Sequence, residues 1–320
     1  MIRVFAWLLL IHASTFAQVD TSFVAKLPYK GTVYSYINSK SNSISYARNS
    51  SNFALTYAPN SWGSFGIGGS YKWLDLSIGL LSYGKLNENQ YGTTHRMDLQ
   101  SHIYSRKYIT DLFLQNYIGF YSTNKEVVAA DEKAYIRKDI GMTHMGLNLV
   151  RIIDYKHYST KAAFSSTEIQ KKKAGTWAIG AKFNIFNLFS DSSLLSPKID
   201  SLYQHDFKLK QFTSLLIGFL GGYMQNWLYK KWVFNVTIMA GLANQLQYKE
   251  LSSEFGKFYP HSTTGVIINA RIGAGYNNDR SFFYFYVISD NCNYPLSTKY
   301  ILKHTFGRVD LCYGYRLFKE

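Results

Sequence analysis

A two-residue alternation of apolar and polar side chains recurs along most of this chain. In one segment Val266, Ile268 and Ile272 alternate with Asn269 and Arg271. Because successive side chains of a β-strand point to opposite faces of a sheet, this period predicts strands with one apolar and one polar face. The same period recurs at residues 53–58, 64–73, 74–80, 96–103, 144–149, 177–185, 232–243 and 309–317. The chain is therefore predicted to be all-β.

Two neighbouring stretches without charge, 211–229 and 232–248, allow another interpretation, a pair of transmembrane helices joined by Lys230-Lys231. Both stretches contain amide side chains and glycines, and amides are costly in the hydrocarbon of a bilayer. Several of the amides between residues 235 and 247 fall on one face of a strand. The strand interpretation is therefore favoured over the helical one.

The composition indicates strands that lie between lipid and water. Aromatic residues make up 17% of the chain, with 27 Tyr and only 5 Pro, a mixture rich in strand formers. The mean hydropathy of −0.16 is too polar for a bundle of membrane helices. Strands that face lipid on one side and a polar interior on the other have this mixed character.

Short connections alternate with long ones along the predicted strands. The short ones are at 73–74, 105–107, 225–231 and 278–279, and the long ones are at 84–94, 122–140, 187–210, 249–263 and 290–303. Outer-membrane barrels have short periplasmic turns and long external loops, so we predict a transmembrane antiparallel up-and-down β-barrel of about 12 strands, or alternatively about 14.

Two connections fit this topology less simply. Pro59–Gly63 becomes a short external link, and residues 154–173 become a long periplasmic connection. The latter is predicted to hold a short strand at Tyr158–Phe164, or to fold as a plug or a helix. If this connection adds a strand, residues 32–46 could add another, and the count would become the alternative of about 14 strands.

The N-terminal residues have the pattern of a secretory signal peptide. Arg3 precedes the apolar run Val4–Ile11, and Thr15-Phe16-Ala17 resembles a cleavage site. We expect cleavage after Ala17, although an apolar first strand is the alternative. The predicted division is a signal peptide at 1–17, a periplasmic N-terminal segment or lumen plug at 18–52, and an outer-membrane barrel at 53–320.

The C-terminal residues form an amphipathic segment with an aromatic residue, Phe318, near the end of the chain. Outer-membrane proteins commonly end in this way, so segment 304–318 is predicted to be recognised by the barrel-assembly machinery. Aromatic residues also gather near both ends of the predicted strands, as expected of interfacial girdles. Together these features predict the outer membrane of a Gram-negative bacterium as the location.

Several motifs resemble a family of Bacteroidota outer-membrane barrels known as a domain of unknown function. They are the element Tyr57-Ala58-Pro59-Asn60, the glycine-rich strand Gly66–Tyr71 with its turn Lys72-Trp73-Leu74, and the stretch Lys171-Lys172-Lys173-Ala174-Gly175-Thr176. The resemblance covers nearly the whole mature chain. It implies a fold and a location but no activity, so it assigns no catalytic residue.

If the large apolar side chains face lipid, their polar neighbours face the lumen. The lumen or solute-binding candidates are Lys72, Arg96, Asp98, His102, His144, Lys182, Asn235, Arg271, Arg308, Asp310 and Arg316. Charged lumen residues tune the selectivity of channels, and basic residues outnumber acidic ones here. A small channel or porin for anionic or neutral solutes is therefore the first hypothesis. A salt-bridged network that fills the interior is the alternative interpretation of the same residues.

Two other functions remain open. His102 and His144 could meet Asp98 and Asp111 across neighbouring strands, as in an enzyme that acts on lipids or glycans. The sequence contains no G-x-S-x-G, no H-E-x-x-H and no Cys/His cluster with metal-ligand spacing, so an enzyme is less favoured and no cofactor or metal is expected. A structural or partner-binding barrel is the third hypothesis.

The charge balance and the cysteines constrain the partners. The formal charge of +15 favours anionic partners, including outer-membrane lipids and lipopolysaccharide. A secreted chain rarely meets nucleic acid, so none is expected. Cys292 and Cys312 are too few for a disulfide framework, and two isolated thiols are predicted.

Overall fold

The computed structural model describes residues 19–48, 54–71, 74–128, 132–196, 208–251 and 259–319. The predicted signal peptide, its cleavage site and Lys72 lie outside these residues. The strands are β1 (Val24–Lys26), β2 (Tyr29–Arg48), β3 (Ala54–Tyr57), β4 (Gly63–Tyr71), β5 (Leu74–Tyr83), β6 (His95–Tyr104), β7 (Tyr108–Ser122), β8 (Tyr135–Ile152), β9 (Glu168–Gln170), β10 (Ala174–Phe189), β11 (Leu209–Tyr229), β12 (Trp232–Leu251), β13 (Tyr259–Asn277), β14 (Ser281–Pro295) and β15 (Tyr300–Lys319). Two short helices, α1 (Glu88–Tyr91) and α2 (Thr160–Phe164), complete the described elements. Neither of them has the length or the apolar character to cross a membrane.

One large antiparallel sheet forms the wall of the molecule. Twelve strands follow the order β5-β4-β2-β15-β14-β13-β12-β11-β10-β8-β7-β6, and β3 pairs with β2 beside this path. The sheet curls until strands near its two edges approach each other. Lys40 of β2 lies 3.0 Å from Asp98 of β6, and Ala58, next to β3, forms an isolated bridge with Tyr121 of β7. The predicted all-β antiparallel barrel is confirmed, with a seam between β5 and β6 where the described residues form no ladder.

The predicted count of about 12 agrees with the wall, but two assignments behind it were wrong. Strand β2 belongs to the wall, paired with β15 from Tyr29 to Arg48, so most of segment 18–52 is neither free in the periplasm nor a lumen plug. Pro59–Gly63 is not an external link, because β3 and β4 both run antiparallel to β2 and form one interrupted strand.

The composition of β2 explains why its alternation was missed. Asn38 and Asn42 are buried inside the barrel, while Val33 and Ile37 face outward. Most other positions are Ser, Tyr or Asn on both faces, so the apolar period is weak in the sequence.

The outer surface of the wall is apolar, as the alternation predicts. Trp177 is 67% exposed and Phe219 is 72% exposed, whereas their neighbours Ala178 and Leu220 are buried. A tilted strand needs about 9–11 residues to cross the hydrocarbon core of a bilayer. Strands β11 and β12 have 21 and 20 residues, so the wall extends beyond a bilayer.

Residues 154–173, with β1, form a structure that we call the periplasmic plug, after the side of the membrane that the sequence predicts for it. The predicted strand at Tyr158–Phe164 is wrong, because this stretch forms a tight turn and helix α2. A plug was the other expectation, and the side chains of Tyr158 and Phe164 are buried inside the mouth of the barrel. The amide of Asn235 donates a hydrogen bond to the hydroxyl of Tyr158 over 2.5 Å.

Contacts at several points attach the periplasmic plug to the wall. Arg106, in the turn between β6 and β7, forms an ion pair of 2.6 Å with Glu168 of β9. Arg316 of β15 donates a hydrogen bond of 2.7 Å to the carbonyl of Ser166. Within the plug, β9 pairs with β1, and the chain runs from β1 directly into the wall strand β2.

The other half of the interior is filled by what we call the upper apolar cluster. It contains buried side chains of the wall, such as Phe186, Phe212 and Tyr294, together with Leu194 and Leu195 from the loop after β10. Because loop residues fold down onto wall residues, apolar packing closes the end of the barrel opposite the plug. We call this the extracellular end, after the topology predicted from the sequence.

Candidate functional site: a polar belt inside the barrel

Charged side chains gather between the upper apolar cluster and the periplasmic plug, and we call them the polar belt. Each of them occupies an inward position of the alternation, so the wall directs them into the lumen. Five are basic and four are acidic: Lys40, Arg96, Lys182, Arg271, Arg308, Asp98, Asp111, Asp290 and Asp310. The belt is therefore nearly neutral, which removes the expected excess of basic charge in the lumen.

The carboxylate of Asp111 joins two walls of the barrel. His102 Nδ1 lies 2.7 Å from one carboxylate oxygen, because β6 and β7 place these residues directly opposite each other. Arg271 reaches across from β13 and donates a hydrogen bond of 2.5 Å to the other oxygen. All three side chains are shielded from solvent, so the ion pair between Asp111 and Arg271 lies in a region of low dielectric.

Asp290 of β14 is the second centre of the polar belt. Lys182 forms an ion pair with one of its carboxylate oxygens, and the amides of Asn148 and Asn269 each donate a hydrogen bond of 3.1 Å to the other. Arg271 Nε donates to the side-chain oxygen Oδ1 of Asn269 over 3.1 Å, which links this centre to the first.

Two further pairs extend the polar belt. Lys40 binds Asp98 at 3.0 Å next to the seam of the wall. Arg308 binds Asp310 at 2.6 Å and lies over the ring of Tyr286, with 5.4 Å between the guanidinium carbon and the ring centroid. Acidic and basic side chains of the belt thus neutralise each other rather than facing open water.

Little space remains among these side chains. A cavity of about 20 Å³ lies beside His102, Asp111, Asn148 and Asp290. A buried water needs roughly this much room and several polar partners. Three buried atoms here, His102 Nε2, Asn148 Oδ1 and Arg271 Nη1, have no hydrogen-bond partner within the protein. The cavity suits about one water molecule and no larger solute.

All ten candidate residues that the structure describes face the interior. Arg96 donates to the carbonyls of Ser61 and Gly63 over 3.3 Å and 3.0 Å. His144 lies in an aromatic layer, with its ring centroid 4.7 Å from that of Phe306. Asn235 and Arg316 hold the periplasmic plug and do not touch the polar belt. A contact between these residues and a solute stays a prediction.

Sequence reasoning missed Lys40 and Asp290. Lys40 lies on β2, which the favoured count of about 12 left outside the wall and only the alternative count of about 14 included. Asp290 follows a stretch with aromatic and aliphatic side chains on both faces, so its orientation could not be read from the alternation. A single acidic residue within an otherwise uncharged strand is a signal that could have found Asp290.

The belt has part of the geometry of a hydrolase. His102 and Asp111 meet across neighbouring strands, as predicted, but His102 Nε2 has no partner and therefore no nucleophile is positioned on it. Across the described ranges, no group of three His, Cys, Asp or Glu side chains could hold a metal ion. Cys292 and Cys312 are buried and form no disulfide.

An ion pair on the extracellular extension of β8 fastens the loop after β10. Arg137 donates hydrogen bonds of 2.8 Å to both carboxylate oxygens of Asp139 and one of 2.9 Å to the carbonyl of Ser193. Partial burial would raise the pKa of Asp139, but the hydrogen bonds and charge of Arg137 hold the pKa of this carboxyl below its usual range. This pair helps to keep the loop closed over the upper apolar cluster.

Comparisons with known proteins give one family and several distant structural similarities. A family model described as "Domain of unknown function (DUF4421)" matches residues 18–317. A search of curated proteins finds no match. Among solved structures, the outer membrane protease OmpT of Escherichia coli is similar at 7% identity with a TM-score of 0.40, covering 91% of this chain and 97% of that one. The toluene transporter TodX of Pseudomonas putida is similar at 7% identity with a TM-score of 0.26, covering 89% of each chain.

Proposed function

The chain belongs to the DUF4421 family, a domain of unknown function, and we propose that it is an outer-membrane barrel with a closed lumen. In this proposal the protein acts by binding a partner or by supporting the envelope, and it does not conduct solutes. The observation that carries the proposal is the filled interior described above.

Three layers in succession support a closed lumen. The upper apolar cluster fills the extracellular half, the polar belt fills the middle, and the periplasmic plug fills the mouth. The cavity of about 20 Å³ in the belt has no room for a hydrated ion. A conducting path would require loop 190–196, the belt and the plug to move together.

The channel hypothesis and the enzyme hypothesis have weaker support. A channel for anions would need an excess of basic side chains facing water, whereas the polar belt is nearly neutral and internally paired. An enzyme would need a nucleophile within reach of His102 and access for a substrate, and both are lacking in the described interior.

The cellular setting is part of the same proposal. The apolar outer surface and the aromatic residues at the strand ends support insertion in the outer membrane of a Gram-negative bacterium, after removal of residues 1–17. A Bacteroidota source, contacts with lipopolysaccharide and recognition of segment 304–318 by the barrel-assembly machinery belong to this proposal too. Strand β15 contains that segment, and its outward side chains from Val309 to Leu317 are apolar or aromatic.

The test is ion conductance of the refolded mature protein in a planar bilayer, with an open porin as the positive control. Insertion is checked first by heat-modifiable migration on a gel, so that an absence of conductance cannot result from failed insertion. We expect no stable conductance steps from the wild-type protein. Stable steps whose selectivity reverses in Arg271→Glu would overturn the closed lumen and establish a channel lined by the polar belt.

A further inference from the structure

The periplasmic end of the barrel carries most of the excess positive charge of the protein. Its described residues include fifteen Lys and Arg but four Asp and Glu, within ranges 19–31, 105–107, 151–173, 230–231, 278–280 and 316–319. The nearly neutral polar belt does not contribute to this imbalance. A surface with this excess of one charge raises the local concentration of anions.

Five of these basic residues lie on one continuous part of the rim, which we call the periplasmic arc: Lys30, Lys230, Lys231, Arg280 and Lys319. They occupy the turns and strand ends of β11 to β15 and β2, which are consecutive neighbours in the sheet. Backbone hydrogen bonds join these ends, from Asn277 N to the carbonyl of Lys231 over 2.9 Å and from Arg316 N to that of Arg280 over 2.7 Å. All five side chains of the arc are exposed.

Aromatic residues lie directly beside the periplasmic arc on the outer surface. Tyr229 is 63% exposed next to Lys230, and Phe318 is 65% exposed next to Lys319. The rings of Trp232 and Tyr276 pack with their centroids 5.2 Å apart next to Lys231. Because Trp and Tyr concentrate at the level of lipid head groups, the neighbouring cations lie at the depth of the lipid phosphates.

The chemistry of the periplasmic arc suits mobile phosphates better than one fixed ligand. Four of its five cations are Lys, which is a flexible point charge without the planar fork that lets Arg grip one anion. Within the arc, Lys231 Nζ donates a hydrogen bond of 2.6 Å to the side-chain oxygen of Asn278, and Lys230 lies over the ring of Tyr229. The plug lysines make similar contacts, such as the hydrogen bond of 2.9 Å from Lys171 Nζ to the carbonyl of Thr21. The arc is the better site for membrane phosphates because its cations lie beside outward-facing aromatic residues of the wall.

We propose that the periplasmic arc binds the phosphate head groups of anionic phospholipids in the periplasmic leaflet and gathers these lipids around one side of the barrel. The inference rests on the outer-membrane placement proposed above. Clusters of Lys and Arg beside a membrane segment attract anionic lipids in the same way, with an attraction that falls as salt rises.

The experiment uses the mature protein in phosphatidylcholine vesicles, with a small fraction of either brominated phosphatidylglycerol or brominated phosphatidylcholine. Bromine quenches nearby tryptophans, and Trp227 and Trp232 lie on the same part of the rim. The background carries Trp62→Phe to remove a reporter outside the periplasmic end. The arc variant combines K230Q, K231Q, R280Q and K319Q, and its matched control combines K125Q, K133Q, K138Q and K299Q on the extracellular side.

For the wild-type protein we expect the anionic lipid to quench at least about twofold more than the zwitterionic lipid at the same mole fraction. This preference should disappear in the arc variant and at high salt, and it should persist in the control variant. Equal quenching by the two lipids, or a preference that survives in the arc variant, overturns the proposal. If the protein instead sediments with purified cell-wall sacculi and shows no lipid preference, the partner is an acidic polymer and the lipid proposal is wrong.

Failure of the membrane placement gives a different result. A protein that does not insert shows no heat-modifiable migration and no quenching by either lipid. An inserted protein that shows no preference contradicts the lipid site alone.

Discussion

The buried charge of Asp111 depends for its compensation on Arg271, a residue far away in the sequence. The carboxylate is buried between His102 and Arg271, and each of its oxygens is engaged by one of them. A buried ion pair adds little net stability compared with apolar packing, because both charges lose their hydration. Removal of one partner is far more damaging, since the remaining charge is then buried without compensation.

We therefore expect Arg271→Met to lower the free energy of unfolding by about 3 kcal/mol. The measurement is urea unfolding of the protein in vesicles. Arg151→Met is the matched control, because Arg151 is an exposed arginine at the periplasmic end of β8 and its loss should change stability by less than about 0.5 kcal/mol. If both variants lose the same free energy, Asp111 does not depend on Arg271 in the folded protein.

The ion pair of Arg137 with Asp139 leads to a prediction about pH. Because the pKa of Asp139 is lower in the folded protein than in the unfolded chain, its contribution to stability is present above the usual value of about 3.9 and is lost as the pH falls through the folded value. Asp139→Asn should cost about 1 kcal/mol of unfolding free energy at neutral pH and almost nothing under strongly acidic conditions.

Unfolding of the two proteins across this pH range checks the prediction, with Asp191→Asn in the same loop as the control. The backbone amide of Asp191 donates to Asp139 over 3.1 Å, and this bond does not need the Asp191 carboxylate. A difference between Asp139→Asn and the wild-type protein that stays constant with pH would contradict the assigned cause.

Among the elements, the interrupted strand of β3 and β4 departs most from an ideal barrel. At the interruption the side chain of Asn60 points inward and holds the loop that follows β5. Its amide donates to the carbonyl of Gly92 over 2.7 Å, and its oxygen accepts from Leu86 N over 2.7 Å. The interruption between β3 and β4 is thus an ordered junction between a wall strand and the loop that follows β5. The sequence pattern predicts only a simple turn there.

Asn60→Ala should lower the free energy of unfolding by about 2 kcal/mol, because it leaves the buried carbonyl of Gly92 and the backbone N–H of Leu86 without this partner. Limited proteolysis should then cut the loop between β5 and β6 faster than in the wild-type protein. Asn89→Ala, at an exposed position of the same loop, should behave like the wild-type protein. Equal cleavage of both variants would show that Asn60 does not hold the loop.

Predictability from the sequence differs between elements for a physical reason. Strands β10, β12, β13 and β15 have one face for lipid and one for the interior, so their alternation revealed both the strand and its orientation. In β14 both faces are apolar or aromatic, since Phe282 and Tyr286 pack in the interior while Phe285 faces outward. Strand β2 is polar on much of both faces, and periodicity says little about it.

In the whole molecule, the fold class and the inward orientation of the candidate residues could be predicted. The sequence allowed both a filled lumen and an aqueous one and could not decide between them. Alternation is a local property, while filling depends on partners far apart in the chain, such as Asp111 with Arg271. Residues 154–173 illustrate the same limit, because they become a plug only through contacts with β1, Arg106 and Arg316.

The placement of β2 in the wall can be tested by a cross-link. Ser39 and Val309 are paired neighbours on β2 and β15, so cysteines at both positions should form a disulfide under mild oxidation and change migration on a gel. Ser39→Cys combined with Leu147→Cys is the control, because Leu147 lies on β8, far along the sheet order. A link in the control and none in the test pair would show that β2 lies elsewhere.

The pairing of β2 with β15 also affects the order in which the strands of the wall assemble during folding. Tyr29 pairs with Lys319, so the ladder between β2 and β15 joins segments that are separated in the sequence by nearly all of the wall. Closure of so long a loop is entropically unfavourable until the intervening hairpins have shortened it, and contacts between distant residues form slowly. Strand β2 can pair with its near neighbours β3 and β4, but its other edge must stay unpaired until β15 is in place. During that time this edge is exposed to aggregation.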